Sequence, residues 1–542
     1  MRTFSDIAIF RVTRARNGVV VAILGVSLAA APLGGPAAGS PAGASLAQTP
    51  PACSSTQPCR LSTGLPPSYG VHHPILTPDG DTVVFQRSVA PGIYSELYSV
   101  PVRGGADPVR LDPPQAPSNG QKMITPDGQR VLYVSERLQG RALFSVPING
   151  PASAAVRLSP AILDSFKISP DGRLVTFQST TWRVRAVPIA GPESRGVTLT
   201  PTPADSFEIS SNSRNLVYLA DGDGGETELF RVPLTLNPDP GQQPTRLSGP
   251  MVDGGGVHSF RLPVGDGPVV YSAAQETPNI RELYSVGFGG GNRTKLNVPL
   301  PFRWQVGIKN DHPHGFQYGY GISGDGRRVV YGIQSVGDTQ HQLFSVPAAG
   351  PASASRRLDV DTADTLPPVF HITADSRRVV YPLVDATNGS ARAFSVPIDG
   401  PAGAGVRVDS GGNGDSIQVS PDGQRVVFRM LILNQNAVLS APVDEQFPSS
   451  DMIRLNGAEE LTGSVVFDPL GQRVAYTANA VAGETDVFSS ALGTHSRFNL
   501  TATLTADLIA APRVSDQHAV YSAHVGDGYQ LYSSRLVPGT SG

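Results

Sequence analysis

Read as a pattern of apolar and polar positions, the chain repeats one phrase about ten times. A short apolar stretch ends in a Pro-Asp-Gly reversal, and an alternating apolar run follows. A variable polar stretch leads to a second run ending in Val-Pro, and a last short run closes on Arg-Leu. The best copies start at Ile124 (ITPDGQRVLYVS, then LFSVP and VRLSP), Ile168, Ile322 and Val419, with weaker ones near Leu76, Ile209, Leu262, Ile372, Phe467 and Val514. Pro and Gly preset the angles of a tight turn, and alternation with period two marks a strand. The Pro closing runs such as Leu143-Phe144-Ser145-Val146-Pro147 fits a strand end, where no ladder N–H is needed. Each unit therefore predicts four short antiparallel strands, with a usual period of roughly 41 to 50 residues.

Four strands per such period is the signature of a β-propeller blade. The expected fold is all-β: about ten four-stranded antiparallel blades, preferably in one closed ring, the alternative being two smaller propellers. The tenth unit stops after a third strand (Leu531-Tyr532-Ser533-Ser534-Arg535-Leu536), while an isolated Arg60-Leu61-Ser62 resembling a fourth strand precedes the first unit. Pairing the two would remove an open sheet edge.

The Pro-Asp-Gly turn with the LFSVP and RL strands resembles the TolB-type propeller repeat over residues 60–537, without the α/β domain that precedes the propeller in TolB. The resemblance implies an exported bacterial propeller. It says little about function, because this repeat serves binding scaffolds, peptidase-gating domains and lyases alike.

Composition agrees. The chain has 542 residues, of which 59 are Gly and 49 Pro, which is turn-rich, and a net charge of −3, which argues against nucleic-acid or anionic-membrane capture. Arg2, Arg11, Arg14 and Arg16 precede an apolar run of 14 residues, Gly18 to Ala31, and then an Ala/Gly/Pro/Ser tract with small residues around Ser45-Leu46-Ala47. This is the layout of a cleavable secretory signal, and it is shorter than the roughly 20 residues needed to span a bilayer. The expected organisation is residues 1–47 as signal and low-complexity tract, 48–70 as an N-terminal segment with the closing strand, and 71–537 as the propeller. A secreted or periplasmic location follows, with no stable membrane anchor after cleavage. In that setting the two cysteines, Cys53 and Cys59, are expected to form a local disulfide.

Catalytic signals are sparse, and no catalytic residue set is identified. Gly321-Ile322-Ser323-Gly324-Asp325 lacks the final Gly of a nucleophile elbow. Asp221-Gly222-Asp223-Gly224 lacks the Gly and Glu that a calcium loop needs at its sixth and twelfth places, and reads as a solvated hairpin. Two constellations remain. Aligned on the turn, His72, Asp164, Asp205, His258 and Asp415 fall at the entry to the first strand of five units, which in a propeller lines the central channel. Such a ring of carboxylates and imidazoles could hold a divalent cation; the plain alternative is that Asp begins these strands as a turn residue. Apart from that cation no cofactor is expected.

The second constellation lies in the segment Phe302 to Tyr320, which exceeds the repeat and gathers Trp304, His312, His314, Phe316, Tyr318 and Tyr320. Long aromatic loops on a regular scaffold are places for recognition; the alternative is a plug over a wide channel. The first reading is a non-enzymatic extracytoplasmic binding or scaffold protein that recognises a protein or cell-envelope polymer. The alternative is a metal-assisted polysaccharide-lyase-like enzyme, which requires three or more of His72, His258, His312, His314 and His371 to meet.

Overall fold

The computed structural model describes residues 57–537 apart from 66–67, 89–94, 115–120, 137–140, 164–165, 240, 266, 308–316, 336–340, 361–368, 386–390, 410–416, 433–434, 458–459, 462, 464, 482–483, 505, 507, 510–511 and 527. Residues 49–542 form one compact unit. Its strands assemble into ten separate antiparallel sheets, and each of the ten sequence units becomes one of them, here blades 1 to 10 in chain order.

Blade 2 shows the plan. Its inner strand Lys122–Ile124 pairs with Arg130–Ser135, then Ala142–Pro147, then the outer Val156–Ser159. The second strand is buried on both faces, because alternate residues serve different neighbours. Val131 and Tyr133 pack with Val84 and Leu97 of blade 1, while Leu132 and Val134 pack with Phe166 and Val175 of blade 3. The same division recurs around the molecule. Every hydrophobic cluster lies between two consecutive blades, and one joins Val520 and Leu531 of blade 10 to Val71 and Val83 of blade 1. That last cluster makes the architecture one ten-bladed β-propeller and removes the two-propeller alternative.

The closing strand is where the Arg-Leu spelling placed it. Cys59 and Arg60 pair with Ser533 and Tyr532, and the Leu61 N–H donates to the Leu531 carbonyl at 2.8 Å. Ser62 follows the Leu as Asp112, Ser248, Asn297, Asp359 and Asn456 do elsewhere, and as Asp409 follows Val408, and uses its side chain in the same way. It accepts the third-strand N–H of Leu531 at 3.1 Å, as Asp112 accepts that of Leu97 at 3.0 Å and Ser248 that of Leu229 at 3.1 Å. A polar residue in this place satisfies a buried donor that the two-residue outer strand cannot reach.

Two further spellings acquire reasons. In blades 2, 6, 7, 8 and 9 the Arg that opens the second strand donates from Nε to the Ser of the third strand, for example Arg130 to Ser145 at 2.8 Å and Arg378 to Ser395 at 2.7 Å. In eight blades an aromatic on the second strand stacks on one opposite in the third, as Tyr133 does on Phe144 with ring centroids 5.4 Å apart, and such cross-strand pairs stabilise a sheet.

The two ends of the strands differ. Where inner strands turn into second strands, the Ser or Thr before the turn bonds its Asp, as Thr77 does to Asp79, and the Asp accepts the N–H two residues on. These turns are stitched to one another. The Asp171 N–H donates to Ser213 of the next blade, the Gly265 N–H to Ser211, and Asp325 N–H to Ser376. Gly80, at φ +73, lies so close to Ser515 of blade 10 that an added Cβ would stand 2.7 Å from the Ser515 Cβ. In an antiparallel meander the second-to-third hairpins and the links from one blade to the next emerge at the opposite end. The molecule therefore has a regular turn face and a variable face.

Candidate functional site

On the variable face the blade-6 segment departs from the repeat by building extra strands. Blade 6's second strand, Arg328–Ser335, is paired near its start by Tyr320–Ile322 and at its far end by Trp304–Val306. Gln317–Tyr318 crosses to blade 7 and pairs with Val369 and Phe370 of its inner strand. The segment thus links two blades. Its two legs meet at Gly307 and Gly319, where the Gly307 N–H donates to Gly332 at 3.0 Å and the Gly332 N–H to Gly319 at 2.7 Å. A Cβ on Gly307 would lie 2.9 Å from the Gly319 Cα, so only glycine permits this approach.

Of the aromatic constellation, Trp304 is half-buried and leans on the blade 5–6 core. Its neighbour Phe302 is 92% exposed. His312, His314 and Phe316 lie outside the described residues, as does the side chain of Tyr318. Tyr320 is corrected from a surface residue to a core residue. It is fully buried, its hydroxyl hydrogen-bonds Ser259 at 3.0 Å, and its carbonyl accepts Arg261 Nε at 2.8 Å. Burial pushes its hydroxyl pKa up. The reason is register. Tyr320 lies opposite Tyr331 as Phe166 lies opposite Phe177 and Phe260 opposite Tyr271, in the place where the inner strand packs inward. The spacing of two residues before the turn-proximal apolar residue was the available signal.

Of the proposed cation ring, Asp164 and Asp415 lie outside the described residues. His72 and His258 are exposed on inner strands, and Asp205 is exposed just before one, its N–H bonded to the Leu219 carbonyl at 2.8 Å. His258 stands near Arg281 of the same blade. Burial, then the neighbouring Arg281 guanidinium, hold its imidazole below the ordinary value. Among the described residues, no three His, Cys, Asp or Glu side chains come close enough to hold a metal ion. His72, Asp205 and His258 thus share a strand position without sharing a centre: equal spacing within repeats places side chains in equivalent positions on blades 1, 4 and 5, which are not all adjacent.

The Asp221–Gly225 stretch is the expected hairpin, with the Gly222 N–H donating to Glu226 at 2.9 Å. Cys59 sits on the closing strand, and Cys53 lies outside the described residues. No described helix is long and apolar enough to cross a membrane.

What sequence reading missed is a basic group on the inner strands of blades 10, 1 and 2: His72, His73, Lys122 and Arg513. His73 stands in a bulge of the blade-1 inner strand, at φ +47, where the register shifts between His72 and Ile75. Four residues scattered over more than 400 positions carry no motif.

The fold defines the class, a ten-bladed β-propeller. No protein-family model matches the chain, and no curated protein matches it in sequence. Among solved structures it is similar to a putative TolB from Agrobacterium tumefaciens, at 18% identity over 46% of this chain and 82% of that one, with a TM-score of 0.27. It is also similar to an oligogalacturonate lyase in complex with manganese, at 15% identity over 72% and 99% with a TM-score of 0.32. A third is a eukaryotic initiation factor, at 12% identity over 72% and 91% with a TM-score of 0.43. The first two are TolB-like propellers.

Proposed function

We propose that this propeller is an extracytoplasmic binding or scaffold protein that engages a protein or a cell-envelope polymer through its variable face. The observation carrying this reading is where exposed aromatics fall. Among the described residues the large aromatic side chains left exposed are Tyr69, Trp182 and Phe302. All three stand at the variable end of their blades: before the blade-1 inner strand, in the blade-3 hairpin, and at the root of the blade-6 segment. The exposed apolar residues of the turn loops, Val264 and Leu470, are aliphatic. Aromatic faces offer stacking area to sugar rings and to peptide side chains with little rotamer entropy to lose. The turn face is committed instead to stitching blades together. The basic, apolar and small-residue layout of residues 1–47 supports export.

The test compares Phe302→Ala/Trp182→Ala with Leu470→Ala on the turn face, in co-sedimentation with isolated envelope material. The reading requires the aromatic pair to lose at least about tenfold in binding, a loss of roughly 1.4 kcal/mol, with melting unchanged and Leu470→Ala neutral. Equal binding by all three proteins would overturn it.

A further inference from the structure

Lys122 occupies a place that other blades fill with apolar side chains. Two residues before the turn-proximal inner-strand residue stand Phe166, Phe207, Phe260, Tyr320, Phe370, Ile417 and Val465 in blades 3 to 9, all buried. Blade 2 has Lys122 there, opposite Tyr133 in the register that puts Phe166 opposite Phe177 and Phe207 opposite Tyr218. A partly buried ammonium is costly unless it is paired, and a fold needing only a core would keep the aromatic. The Lys122 ammonium reaches across to blade 1 and donates to the Gln86 side-chain oxygen at 3.0 Å. The other described lysines have carboxylates: Lys167 pairs with Glu208 at 2.8 Å, and Lys295 with Glu276 at 2.9 Å and also with Glu282. Among the described residues Lys122 has none.

Its surroundings are cationic. His72 lies opposite Gln86 across the blade-1 sheet, and His73 projects from the bulge beside it with ring centroids 6.2 Å apart. Arg513 is exposed on the blade-10 inner strand and forms no ion pair among the described residues. These groups act on one another. Burial and then Lys122, His72 and Arg513 hold the His73 imidazole below its ordinary value, while burial and then Arg513 bring the Lys122 ammonium down to about 8. No carboxylate contributes to either balance.

We propose that the seam of blades 10, 1 and 2 is a binding site for an oxyanion, a carboxylate or a phosphate group, held by Lys122 and Arg513 with His72 and His73 as further donors. An anion there converts mutual repulsion into charge-assisted hydrogen bonds and supplies a counter-charge that no described carboxylate provides. The site shares no residue with Trp182 or the blade-6 segment, the places altered in the binding test, so either proposal can fail without the other.

The chain's few lysines make the test direct. The full chain is acylated briefly with acetic anhydride near neutral pH, and modification of Lys122 is followed by peptide mass spectrometry, with Lys167 and Lys295 as internal references. Saturating inorganic phosphate or succinate should slow modification of Lys122 by roughly fivefold or more through occupancy, leaving the references unchanged. Protection by phosphate alone assigns the site to phosphorylated ligands, and protection by succinate alone to carboxylates. Arg513→Gln, a change at an exposed side chain, should remove the protection without lowering the melting temperature. The proposal is overturned if neither anion protects Lys122, if sodium chloride at equal ionic strength protects it as well, or if Arg513→Gln leaves protection intact.

Discussion

Truncating Leu61 to Ala asks whether the N-terminal strand holds the ring closed. Leu61 is 1% exposed and packs among Val71, Val83, Val520 and Leu531, where blade 10 meets blade 1. Its internal counterpart is Leu247 of blade 4, 0% exposed, whose N–H donates to Leu229 at 2.8 Å as that of Leu61 donates to Leu531 at 2.8 Å. Deleting a buried leucine side chain costs about 2.7 to 5 kcal/mol, the transfer free energy plus the residual cavity. The two sites are equally buried, so Leu61→Ala and Leu247→Ala should each lose about 3 kcal/mol in denaturant titration. Unfolding entropy scales with chain length at about 2 cal/mol/K per residue, so in a unit of this size about 3 kcal/mol lowers Tm by only about 3 °C. The variants should differ in a second readout. Loosening the closing strand frees the edge of Gly528–Arg535, and an unpaired edge recruits other chains. Leu61→Ala should therefore self-associate with rising concentration on warming, and Leu247→Ala should not. If Leu61→Ala matches the unmutated protein while Leu247→Ala falls by the expected amount, the N-terminal strand does not close the ring.

Lys122→Met should raise Tm at pH 7. Burial, then Arg513, brings the folded ammonium down to about 8 from an ordinary value of 10.5, so the penalty for its charge is fully present below pH 8. It is relieved as pH rises from 8 toward 10.5, as linkage requires. The gain should shrink across that window; the facing groups, Gln86, Arg513 and an already neutral His73, do not change charge there. A gain independent of pH would contradict the assignment. Gly307→Ala should destabilise the blade-6 segment by about 1 to 3 kcal/mol, because its Cβ meets the Gly319 Cα; local hydrogen exchange over 303–322 would report it, and unchanged protection would refute the close approach. Cys53 and Cys59 should be bridged in exported protein, with the short loop adding at most about 2 kcal/mol; thiol titration finding two reactive cysteines would reject the bridge.

The blades were legible because each is encoded locally. The Ser/Thr-x-Asp turn, the alternating strand and the Arg-Leu outer strand each fix geometry within a few residues, and their repetition removes ambiguity. Closure was legible for the same reason, since Arg60-Leu61-Ser62 has the spelling of an outer strand. The site was less so. Asp205 and His258 share a strand position that sequence alignment can find, but whether side chains converge depends on which blades they occupy. Tyr320 looked like part of an aromatic loop, yet its spacing from Ile322 assigns it to the core with Phe166 and Phe370. The Lys122 group was invisible because His73 enters through a bulge that breaks the repeat, and Arg513 comes from the far end of the chain.

The most direct measurement of the binding reading is hydrogen exchange by mass spectrometry on the full chain, with and without isolated envelope material. Binding through the variable face predicts slowed exchange in the hairpin around Trp182, around Tyr69 and in the Phe302 segment, with the turns at 77–82, 125–130 and 420–425 unchanged. Slowed exchange confined to those turns, or none anywhere, would contradict it.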